Sequence, residues 1–304
     1  MLDLSVVIIN WNTRDLLLQC LRSLEEDTGT LENCRVETFV VDNASTDDSV
    51  KMVRDRFPWL QLIENTENVG FARANNQALE CASGEYLVLL NSDTRVLRGA
   101  LAALTRFMDE HPDAGGCGPV LLNGDGTLQS SCYPMRTPGR ELWRLTFLER
   151  IWPRADYPQE RWSRRTPRQV EVIKGACLVL RREALDQVGL LDDRYFMYTE
   201  EMDLCYRLLR AGWTLWWVPQ AEVVHYEGAS SKQVQEKMYV QLYRSKVQFH
   251  RKFGGERRAR LFKRLVRIAY IPRLLAASAL QPWNPSMAGR ARTYRRLLAE
   301  LPGM

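Results

Sequence analysis

The sequence lacks the features that mark secreted, disulfide-bonded and membrane-spanning proteins. Its seven cysteines form no Cys-x-x-Cys pair, and several of them lie inside apolar runs. A disulfide framework and a zinc site are therefore disfavoured, and a reducing cytosol is the expected compartment. The chain starts with an acid, Asp3, where a signal peptide carries basic residues, and it holds no long uncharged apolar segment. We expect neither a signal peptide nor a membrane-spanning helix.

The glycine-rich phosphate loops of two large enzyme classes are also missing. Neither Gly-x-Gly-x-x-Gly nor Gly-x-x-x-x-Gly-Lys-Ser/Thr occurs in the chain. Because such loops cradle the phosphates of dinucleotides and nucleoside triphosphates, nicotinamide dehydrogenases and P-loop enzymes are disfavoured.

Acidic residues are scarce in the C-terminal part of the chain. Residues 228–304 hold 17 Lys or Arg and 3 Asp or Glu, a balance of +14, so the total of +5 leaves −9 for residues 1–227. An acidic body with a basic tail suggests nucleic acid or an anionic membrane surface as a contact of the tail. With 304 residues, 45% of them hydrophobic, the chain can hold one large α/β domain with additions.

Apolar runs alternate with helical patterns in the first hundred residues. Strands are predicted at 4–9, 36–41, 60–63 and 87–90, with a helix in each connection. Asn12 or Thr13 is the expected cap of the first helix, and residues 45–48 resemble a capping box for the second. The alternation predicts a mostly parallel sheet with right-handed crossovers.

In such a sheet, three polar loops would share one edge with Asp93, which follows the fourth strand. These loops are residues 10–13, 42–48 and 68–73. An acid at this edge is a natural ligand of Mg²⁺ or Mn²⁺, although an Asp at the end of a strand also commonly caps the next helix.

The same edge suits a nucleotide. Asp42 could read the edge of a base, Trp11 could lie near its ring, and Arg73 with helix N-terminal amides could face a diphosphate. Each residue has an ordinary alternative: Trp11 in packing, Asp42 as a turn acid and Arg73 on a solvated helix face. Their shared edge makes coincidence less plausible.

Four segments in this order resemble the signatures of family-2 inverting glycosyltransferases with the GT-A fold. They are Ser5–Asn12, Val40–Asp47, Glu67–Asn76 and Leu89–Asp93. The resemblance covers about residues 3–250, and it is nearest to bacterial rhamnosyltransferases that use dTDP-rhamnose. Related enzymes of similar pattern use other sugars.

The resemblance implies a fold and a set of donor-binding residues. The fold is a GT-A type α/β fold with a mostly parallel central sheet, flanking helices and a C-terminal helical extension. Asp42 would contact the pyrimidine, and Asn91-Ser92-Asp93 would be the Asp-x-Asp element with Asn in first place, which leaves Asp93 as its one strong metal ligand. The implied donor-binding residues are Asn10, Trp11, Asn12, Asp42, Asn43, Asn68, Gly70, Phe71, Arg73, Asn76, Asn91 and Ser92.

The second half of the chain supplies candidate catalytic acids. Glu200, Glu201 and Asp203 crowd the start of a predicted helix, where the helix dipole favours negative charge, so capping is the alternative to catalysis. The family places an acidic pair here, usually Glu-Asp, with its second member as the base. That position is Glu201, one methylene longer, and the base stays open between Glu201 and Glu200.

Several further expectations concern the connections. Short strands are predicted at 215–218 and 222–224, and His225 follows the second. His225 is either a metal ligand, as in the family, or a hydrogen-bonded core histidine. Residues 170–180 are predicted to form a strand with small residues at 175–177. Residues 133–168 are an irregular insertion, either a lid or a connector.

The predicted domains follow from the charge balance and these patterns. Residues 1–227 form the catalytic domain, with a nucleotide-sugar-binding half at 1–95 and an acceptor half at 96–227, and residues 228–304 form a basic helical extension. Helices are predicted at 232–252 and 256–280, with Pro272 kinking or breaking the second. The extension is either a bundle packed on the catalytic domain or a helix lying on an anionic membrane.

Together these features predict a metal-dependent inverting glycosyltransferase that acts on a hydroxyl of a cell-surface glycan or a lipid-linked precursor. The donor is rhamnose on dTDP, or alternatively galactose or N-acetylglucosamine on UDP, and the place is the inner face of the cytoplasmic membrane. A nucleotidyltransferase is a further alternative, but residues 10–13 contain neither the Gly nor the Lys that its loop needs. Nucleic acid is not an expected partner, because the body is acidic.

Overall fold

The structure, a computed structural model, describes residues 3–31, 34–146, 156–226, 234–281 and 283–304. Trp152 and Pro153 of the insertion, the predicted boundary at 227/228 and the predicted helix start at Lys232 lie outside these residues. No helix in the part of the chain that the structure describes is both long and apolar enough to cross a membrane.

Twelve strands are present in the described residues. They are β1 Leu4–Asn10, β2 Val36–Asp42, β3 Gln61–Glu64, β4 Tyr86–Asn91, β5 Thr94–Val96, β6 Ala114–Leu122, β7 Leu128–Gln129, β8 Cys132–Tyr133, β9 Arg168–Gln169, β10 Val172–Ile173, β11 Cys177–Arg181 and β12 Thr214–His225.

Nine α-helices accompany them in the same residues. They are α1 Arg14–Thr28, α2 Ser49–Arg56, α3 Phe71–Leu79, α4 Ala100–Glu110, α5 Pro138–Leu145, α6 Arg182–Val188, α7 Glu200–Arg210, α8 Gln235–Leu280 and α9 Ser286–Glu300. Short 3-10 helices cover Gln159–Arg161 and Leu301–Gly303.

The chain forms two compact units. The first consists of Met1–Met135, Pro158–Phe196 and Glu200–Ser230, and the second of Arg136–Tyr157, Met197–Thr199 and Ser231–Met304. Residues 136–157, which the sequence pattern placed in the acceptor half, thus belong to the second unit. The domain division stays a prediction.

The first unit is built on a mixed, mostly parallel sheet in the order β3-β2-β1-β4-β11-β6-β12-β5. Strands β3, β2, β1 and β4 run parallel, and β11 lies antiparallel between β4 and β6. Every residue of β1 is buried, as is all of β4 before Asn91, because helices cover both faces of a parallel sheet. The predicted fold class is confirmed.

The ends of two helices differ from their predicted capping. Thr13 stands at the N-cap position of α1, but its hydroxyl donates to Asn10 Oδ1 at 2.7 Å instead of capping the helix. The capping box at 45–48 is wrong: α2 begins at Ser49, and Ser45 Oγ accepts a hydrogen bond from Asn10 Nδ2. Polar partners on the neighbouring strand end outcompete the local cap.

Strand boundaries in the second half also differ from prediction. The two short strands around residue 220 are one strand, β12, whose ladder with β6 is irregular between Val218 and Glu222, since Pro219 has no N–H to donate. The predicted strand at 170–180 is two strands, β10 and β11, which pair with different partners.

The second unit packs α5, α8 and α9 around its own core, which includes Tyr243, Phe262, Val266 and Leu297. Helix α8 turns at Gly255, whose φ of 67° lies in the left-handed region, and this agrees with the two predicted helices. Of the predicted kink or break at Pro272, the break is wrong, because the helix continues through the proline. Tyr270 and Ala277, on either side of the proline, are buried.

Candidate active site

The ends of β1, β2 and β4 meet at one edge of the sheet. Asn10 is in register with Asp42, and Asn91 pairs with Ile9, so these polar side chains follow neighbouring strands at the same level. Asn43 extends the row, because its backbone N–H donates to Asn10 O at 2.8 Å.

A buried hydrogen-bond network fixes the side chains of this edge. Asn10 Nδ2 donates to Asp42 Oδ1 at 2.8 Å and to Ser45 Oγ at 3.0 Å. Thr13 Oγ1 donates to Asn10 Oδ1 and lies 2.9 Å from Ser92 Oγ. Asp42 is therefore held in one orientation, and since a carboxylate has about four acceptor positions, it can still accept hydrogen bonds from a ligand.

The loop before this network is held in the same way. Asn12 adopts a positive φ of 52°, its N–H donates to Ser45 Oγ, and its Oδ1 accepts from Thr46 N at 2.7 Å. Trp11 lies beside it and is half-buried. This loop brings an aromatic ring to the edge that carries Asp42.

A close backbone approach shapes the start of α3. Gly70 has a φ of 88°, and a Cβ there would lie 2.5 Å from Phe196 O, so only glycine fits. Its N–H donates to Asn68 Oδ1 at 3.0 Å, while Phe71 N donates to Phe196 O at 2.7 Å. The turn ties the third polar loop to the segment that precedes α7.

Two other predicted residues lie on α3. Arg73 is exposed in its first turn. The amide of Asn76 bonds the backbone of Leu191 in both directions, at 2.7 Å and 3.1 Å. Asn76 thus anchors a loop in this structure, and its predicted donor-binding role stays a prediction.

Asp93 and His225 come together next to Asn91. His225 Nε2 lies 3.3 Å from Asp93 Oδ1 and 3.4 Å from Asn91 Nδ2. The other ring nitrogen, Nδ1, lies 2.7 Å from Gln129 Oε1. The histidine is in hydrogen-bond contact on both sides.

The orientation of Gln129 assigns the role of one ring nitrogen of this histidine. Gln129 Nε2 donates to Asn123 Oδ1 at 2.9 Å and to His225 O at 3.1 Å, so Oε1 must face the ring. His225 Nδ1 is then the donor to Gln129, and Nε2 is the ring nitrogen that lies beside Asp93 and Asn91.

This donor set fits a divalent cation. A carboxylate oxygen and an imidazole nitrogen converge at the sheet edge, and Asn91 Oδ1 beside them is buried without a hydrogen-bond partner among the described residues. Among the residues that the structure describes, no cluster of three or more His, Cys, Asp or Glu is suited to a metal. A cation here would complete its coordination with water and substrate phosphate oxygens, as Mg²⁺ commonly does.

The acidic pair opens α7. Tyr133 OH donates to Glu201 Oε1 at 2.9 Å, whereas Glu201 Oε2 and Glu200 Oε2 are buried without hydrogen-bond partners in the described structure. Glu201 keeps partial exposure and Glu200 is 5% exposed. Gly175 leaves space beside the pair, since a Cβ there would lie 3.7 Å from Glu201 Cβ.

The environment separates the two carboxyl groups. Burial, and then the charge of Glu201, raises the pKa of Glu200 well above its ordinary value. Burial also raises the pKa of Glu201, but the Tyr133 hydrogen bond and the charge of Lys174 oppose it. Glu201 is therefore the first of the pair to ionise, and a partnerless oxygen of an ionised carboxylate can accept a proton.

The third acid of this cluster is structural. Asp203 is fully buried, accepts from Arg207 Nε at 2.7 Å and from Tyr195 OH at 3.1 Å. Arg207 also donates to the backbone carbonyls of Val188, Gly189 and Leu190. The Asp203 ion pair fastens α7 to the preceding loop and leaves Glu200 and Glu201 as the acids of the site.

Backbone strain precedes the pair. Thr199 has a φ of 78°, a conformation that costs a β-branched residue about 1–3 kcal/mol, and Tyr198 before it has a φ of 68°. Glu200 follows directly, so this turn fixes the direction in which α7 begins.

The sequence did not single out four residues that shape the site. Ser45 and Thr13 lay within predicted caps, and only their strand-end partners reveal their role. Gln129 and Tyr133 lie 96 and 68 residues from the side chains they bond. No local pattern signals such distant pairs.

Comparison with known proteins places the chain among sugar transferases. The model of the family described as "Glycosyl transferase family 2" matches residues 5–189. The chain is 34% identical over 211 residues to an N-acetylglucosaminyl-diphospho-decaprenol L-rhamnosyltransferase of Mycobacterium tuberculosis. The aligned region covers 64% of this chain and 68% of that relative.

Two solved structures share the fold. One is the mannosyltransferase PcManGT from Pyrobaculum calidifontis in complex with GDP-Man and Mn²⁺, with a TM-score of 0.56, 19% identity and coverage of 97% of this chain and 85% of that one. The other is GalNAc-T7 with UDP, GalNAc and Mn²⁺, with a TM-score of 0.56 and 18% identity, where coverage is 74% of this chain and 44% of that one. At such identities the likeness shows the fold alone.

Proposed function

This chain belongs to glycosyl transferase family 2, and on that premise we propose that it moves a sugar from a nucleoside diphosphate to an acceptor hydroxyl with inversion. The observation that carries the proposal is the ionisable Glu201, which Tyr133 holds by one oxygen while the other has no hydrogen-bond partner among the described residues. Such a carboxylate is equipped to take a proton from a hydroxyl.

The proposed reaction uses both ends of the site. Glu201 Oε2 takes the proton of the acceptor hydroxyl as that oxygen attacks the anomeric carbon from the face opposite the diphosphate. The bond to the nucleoside diphosphate breaks as the new glycosidic bond forms, so the configuration inverts. The raised pKa of Glu200 opposes its ionisation, which disfavours two charged carboxylates side by side.

Asp42, Trp11 and Arg73 are proposed to hold the nucleotide at the strand ends. Asn10, Asn12, Asn43, Asn68, Gly70, Phe71, Asn76, Asn91 and Ser92 are proposed to complete the donor site. Asp93 and His225 would hold Mg²⁺ or Mn²⁺. The chemistry that such a cation supplies when bound is neutralisation of the charge that develops on the leaving diphosphate.

The donor and acceptor are proposed from the rhamnosyltransferase relative. Its printed name gives L-rhamnose as the sugar and a decaprenol-linked N-acetylglucosamine as the acceptor. We propose dTDP-rhamnose and a lipid-linked glycan precursor, and a peripheral position on the inner face of the cytoplasmic membrane, where such an acceptor is presented.

A donor screen tests this proposal. Nucleotide sugars are added one at a time to the protein with Mn²⁺, with Mg²⁺ or with EDTA, and the melting temperature is measured. A ligand at a hundredfold excess over its Kd stabilises the native state by about 2.7 kcal/mol, a shift of several degrees. We expect dTDP-rhamnose to shift the melting temperature most, and only with a metal.

Two results would contradict parts of the proposal. A larger shift with UDP-galactose or UDP-N-acetylglucosamine would replace rhamnose and leave the reaction class standing. No shift with any nucleotide sugar, together with no transfer to a polyprenyl-diphosphate acceptor, would remove the glycosyltransferase assignment of this site.

Tyr133→Phe is expected to shift the pH dependence of turnover. The phenol hydrogen bond lowers the pKa of Glu201, so its loss raises that pKa, and the base is then protonated up to a higher pH. Since a hydrogen bond to a charged group is worth about 1.5–3 kcal/mol, the acidic limb of the kcat profile should move up by about one to two pH units. Turnover on the alkaline plateau should change little.

The measurement is kcat from pH 5 to 9 at saturating donor. Tyr206→Phe serves as the matched control, because Tyr206 on α7 is half-buried like Tyr133 on β8. An unshifted acidic limb in Tyr133→Phe would separate Tyr133 from the base.

A further inference from the structure

The hairpin of α8 and α9 in the second unit ends in an almost uncharged tip. Residues 268–289 contain a single charged side chain, Arg273. Its guanidinium donates to Ala269 O at 2.9 Å and to Leu145 O, so this charge is engaged within the unit. The tip therefore presents little charge to its surroundings.

Large apolar side chains are exposed on this tip. Five of the eight large hydrophobic residues exposed in the described structure lie between 268 and 283. Leu275 is 66% exposed, Leu280 50% and Trp283 80%, and Ile268 and Ile271 are also exposed. A soluble surface rarely groups such residues, and an apolar patch of this kind marks an interaction site.

Helices α8 and α9 run antiparallel, so the contacts between them show which residues lie at the same height along the hairpin. The ring of Tyr270 contacts that of Tyr294 with centroids 5.2 Å apart, and Lys263 Nζ donates to Pro302 O at 3.0 Å. At 1.5 Å per residue, α8 continues about 15 Å from Tyr270 to Leu280.

Basic residues surround the base of the tip. Between residues 257 and 299 the chain has 11 Lys or Arg and no Asp or Glu. The exposed members near the level of Tyr270 and Tyr294 form what we term the arginine collar: Arg264, Arg267, Arg290, Arg292 and Arg295. Leu275, Leu280 and Trp283 lie beyond the collar along the hairpin axis, whereas Ile268 and Ile271 lie at its level.

We propose that this hairpin tip inserts into one leaflet of an anionic membrane, with the arginine collar at the lipid phosphates. Trp283 then lies with the apolar side chains in the leaflet, and the collar meets the complementary charge of the headgroups. The predicted side-on helix does not fit, because its apolar residues Phe262, Val266 and Tyr270 are buried in the unit's own core.

A second copy of the chain fits this tip less well than a membrane. Two tips packed together would bring two arginine collars near each other with no acid between them, and like charges repel. An anionic bilayer satisfies both the apolar and the charged part of the hairpin. The inference goes beyond the proposed transferase reaction and does not depend on the donor.

Vesicle flotation of the full-length protein tests the tip. The vesicles are either equimolar phosphatidylglycerol and phosphatidylcholine or phosphatidylcholine alone. Leu275→Ser with Trp283→Ser should lower partitioning onto the anionic vesicles by about tenfold or more. Trp59→Ser removes an apolar side chain of similar exposure from the first unit, and it should partition like the wild type.

The collar is tested with Arg290→Gln, Arg292→Gln and Arg295→Gln combined. At about a fivefold contribution per basic residue, this variant should lose about a hundredfold in affinity for anionic vesicles and much of the salt dependence. Its residual binding should keep only a weak preference for anionic vesicles, because Arg264 and Arg267 of the collar remain.

Two further measurements keep the result interpretable. Melting curves of the variants without lipid should match the wild type, and Ile271→Ser with Leu280→Ser replaces the first tip variant if it fails to fold. Brominated phosphatidylglycerol should quench wild-type tryptophan fluorescence more than that of Trp283→Phe.

Several outcomes would overturn the proposal. They are equal partitioning of wild type and tip variant, no wild-type preference for anionic lipid, and equal quenching in Trp283→Phe. A wild-type dimer in sedimentation that becomes monomeric in the tip variant, without vesicle binding, would assign the tip to self-association. Donor binding should be unchanged in every variant, so loss of the membrane role and loss of the transferase role remain distinguishable.

Discussion

Glu201→Gln is expected to lower the turnover number by about 10²- to 10⁴-fold and to leave donor affinity nearly unchanged. Glutamine keeps the shape of the side chain and can still accept the Tyr133 hydrogen bond, but it cannot take the acceptor proton. Since the nucleotide is proposed to bind at the strand ends that carry Asp42 and Asp93, the loss should fall on kcat and not on donor binding.

Glu200→Gln provides the matched comparison, because the two residues are adjacent and equally long. Burial and the charge of Glu201 raise the pKa of Glu200 well above its ordinary value, which disfavours its charged form, so replacing Glu200 with the neutral amide should cost much less. Transfer is measured with saturating donor, and donor affinity by calorimetry. If Glu200→Gln shows the large loss and Glu201→Gln does not, the two roles are exchanged.

Asp93→Asn is expected to abolish the metal dependence of donor binding. The amide keeps the size of the carboxylate but removes its charge, which leaves the imidazole of His225 as the remaining strong donor, and we expect apparent Mn²⁺ affinity to fall by about 10²-fold or more. Because Asp93 is only 8% exposed and contacts His225, asparagine is the safer probe of charge.

The readout is the donor-induced shift in melting temperature with Mn²⁺ and with EDTA. Asp125→Asn, a change of an exposed acid in the turn between β6 and β7, is the control and should respond like the wild type. Full metal-dependent donor binding by Asp93→Asn would contradict the metal assignment. If Asp93→Asn loses donor binding and the wild type binds donor equally well with Mn²⁺ and with EDTA, Asp93 contacts the donor directly.

The residue pairs that the sequence missed share a physical cause. Tyr133 reaches Glu201 because β8 pairs with β10, and Gln129 reaches His225 because β7 and β12 both pair with β6. The turn residues 123–126 predict a hairpin that pairs β7 with β6, and the structure confirms it. The two-residue strand β8 carries no periodic pattern, so neither its existence nor its pairing with β10 can be predicted from local composition. The capping box failed for a related reason, since Ser45 bonds Asn10 at the end of a neighbouring strand.

The sequence by itself determined the alternation of buried strands and helices, and therefore the edge at which Asn10, Asp42 and Asn91 meet. Apolar runs such as β1 and β4 are stable only inside a covered parallel sheet, whose carboxyl ends must lie together. Only the tertiary structure separates the environments of the three acids at the start of α7. In the sequence, Glu200, Glu201 and Asp203 look alike at the start of a helix. In the structure, burial raises the pKa of Glu200, Arg207 pairs with Asp203, and Tyr133 donates a hydrogen bond to Glu201. The tertiary structure also decided which apolar residues of the C-terminal extension are exposed. Packing in the second unit buries one apolar face of α8 and leaves the hairpin tip exposed. This division depends on which side of the helix contacts its neighbours.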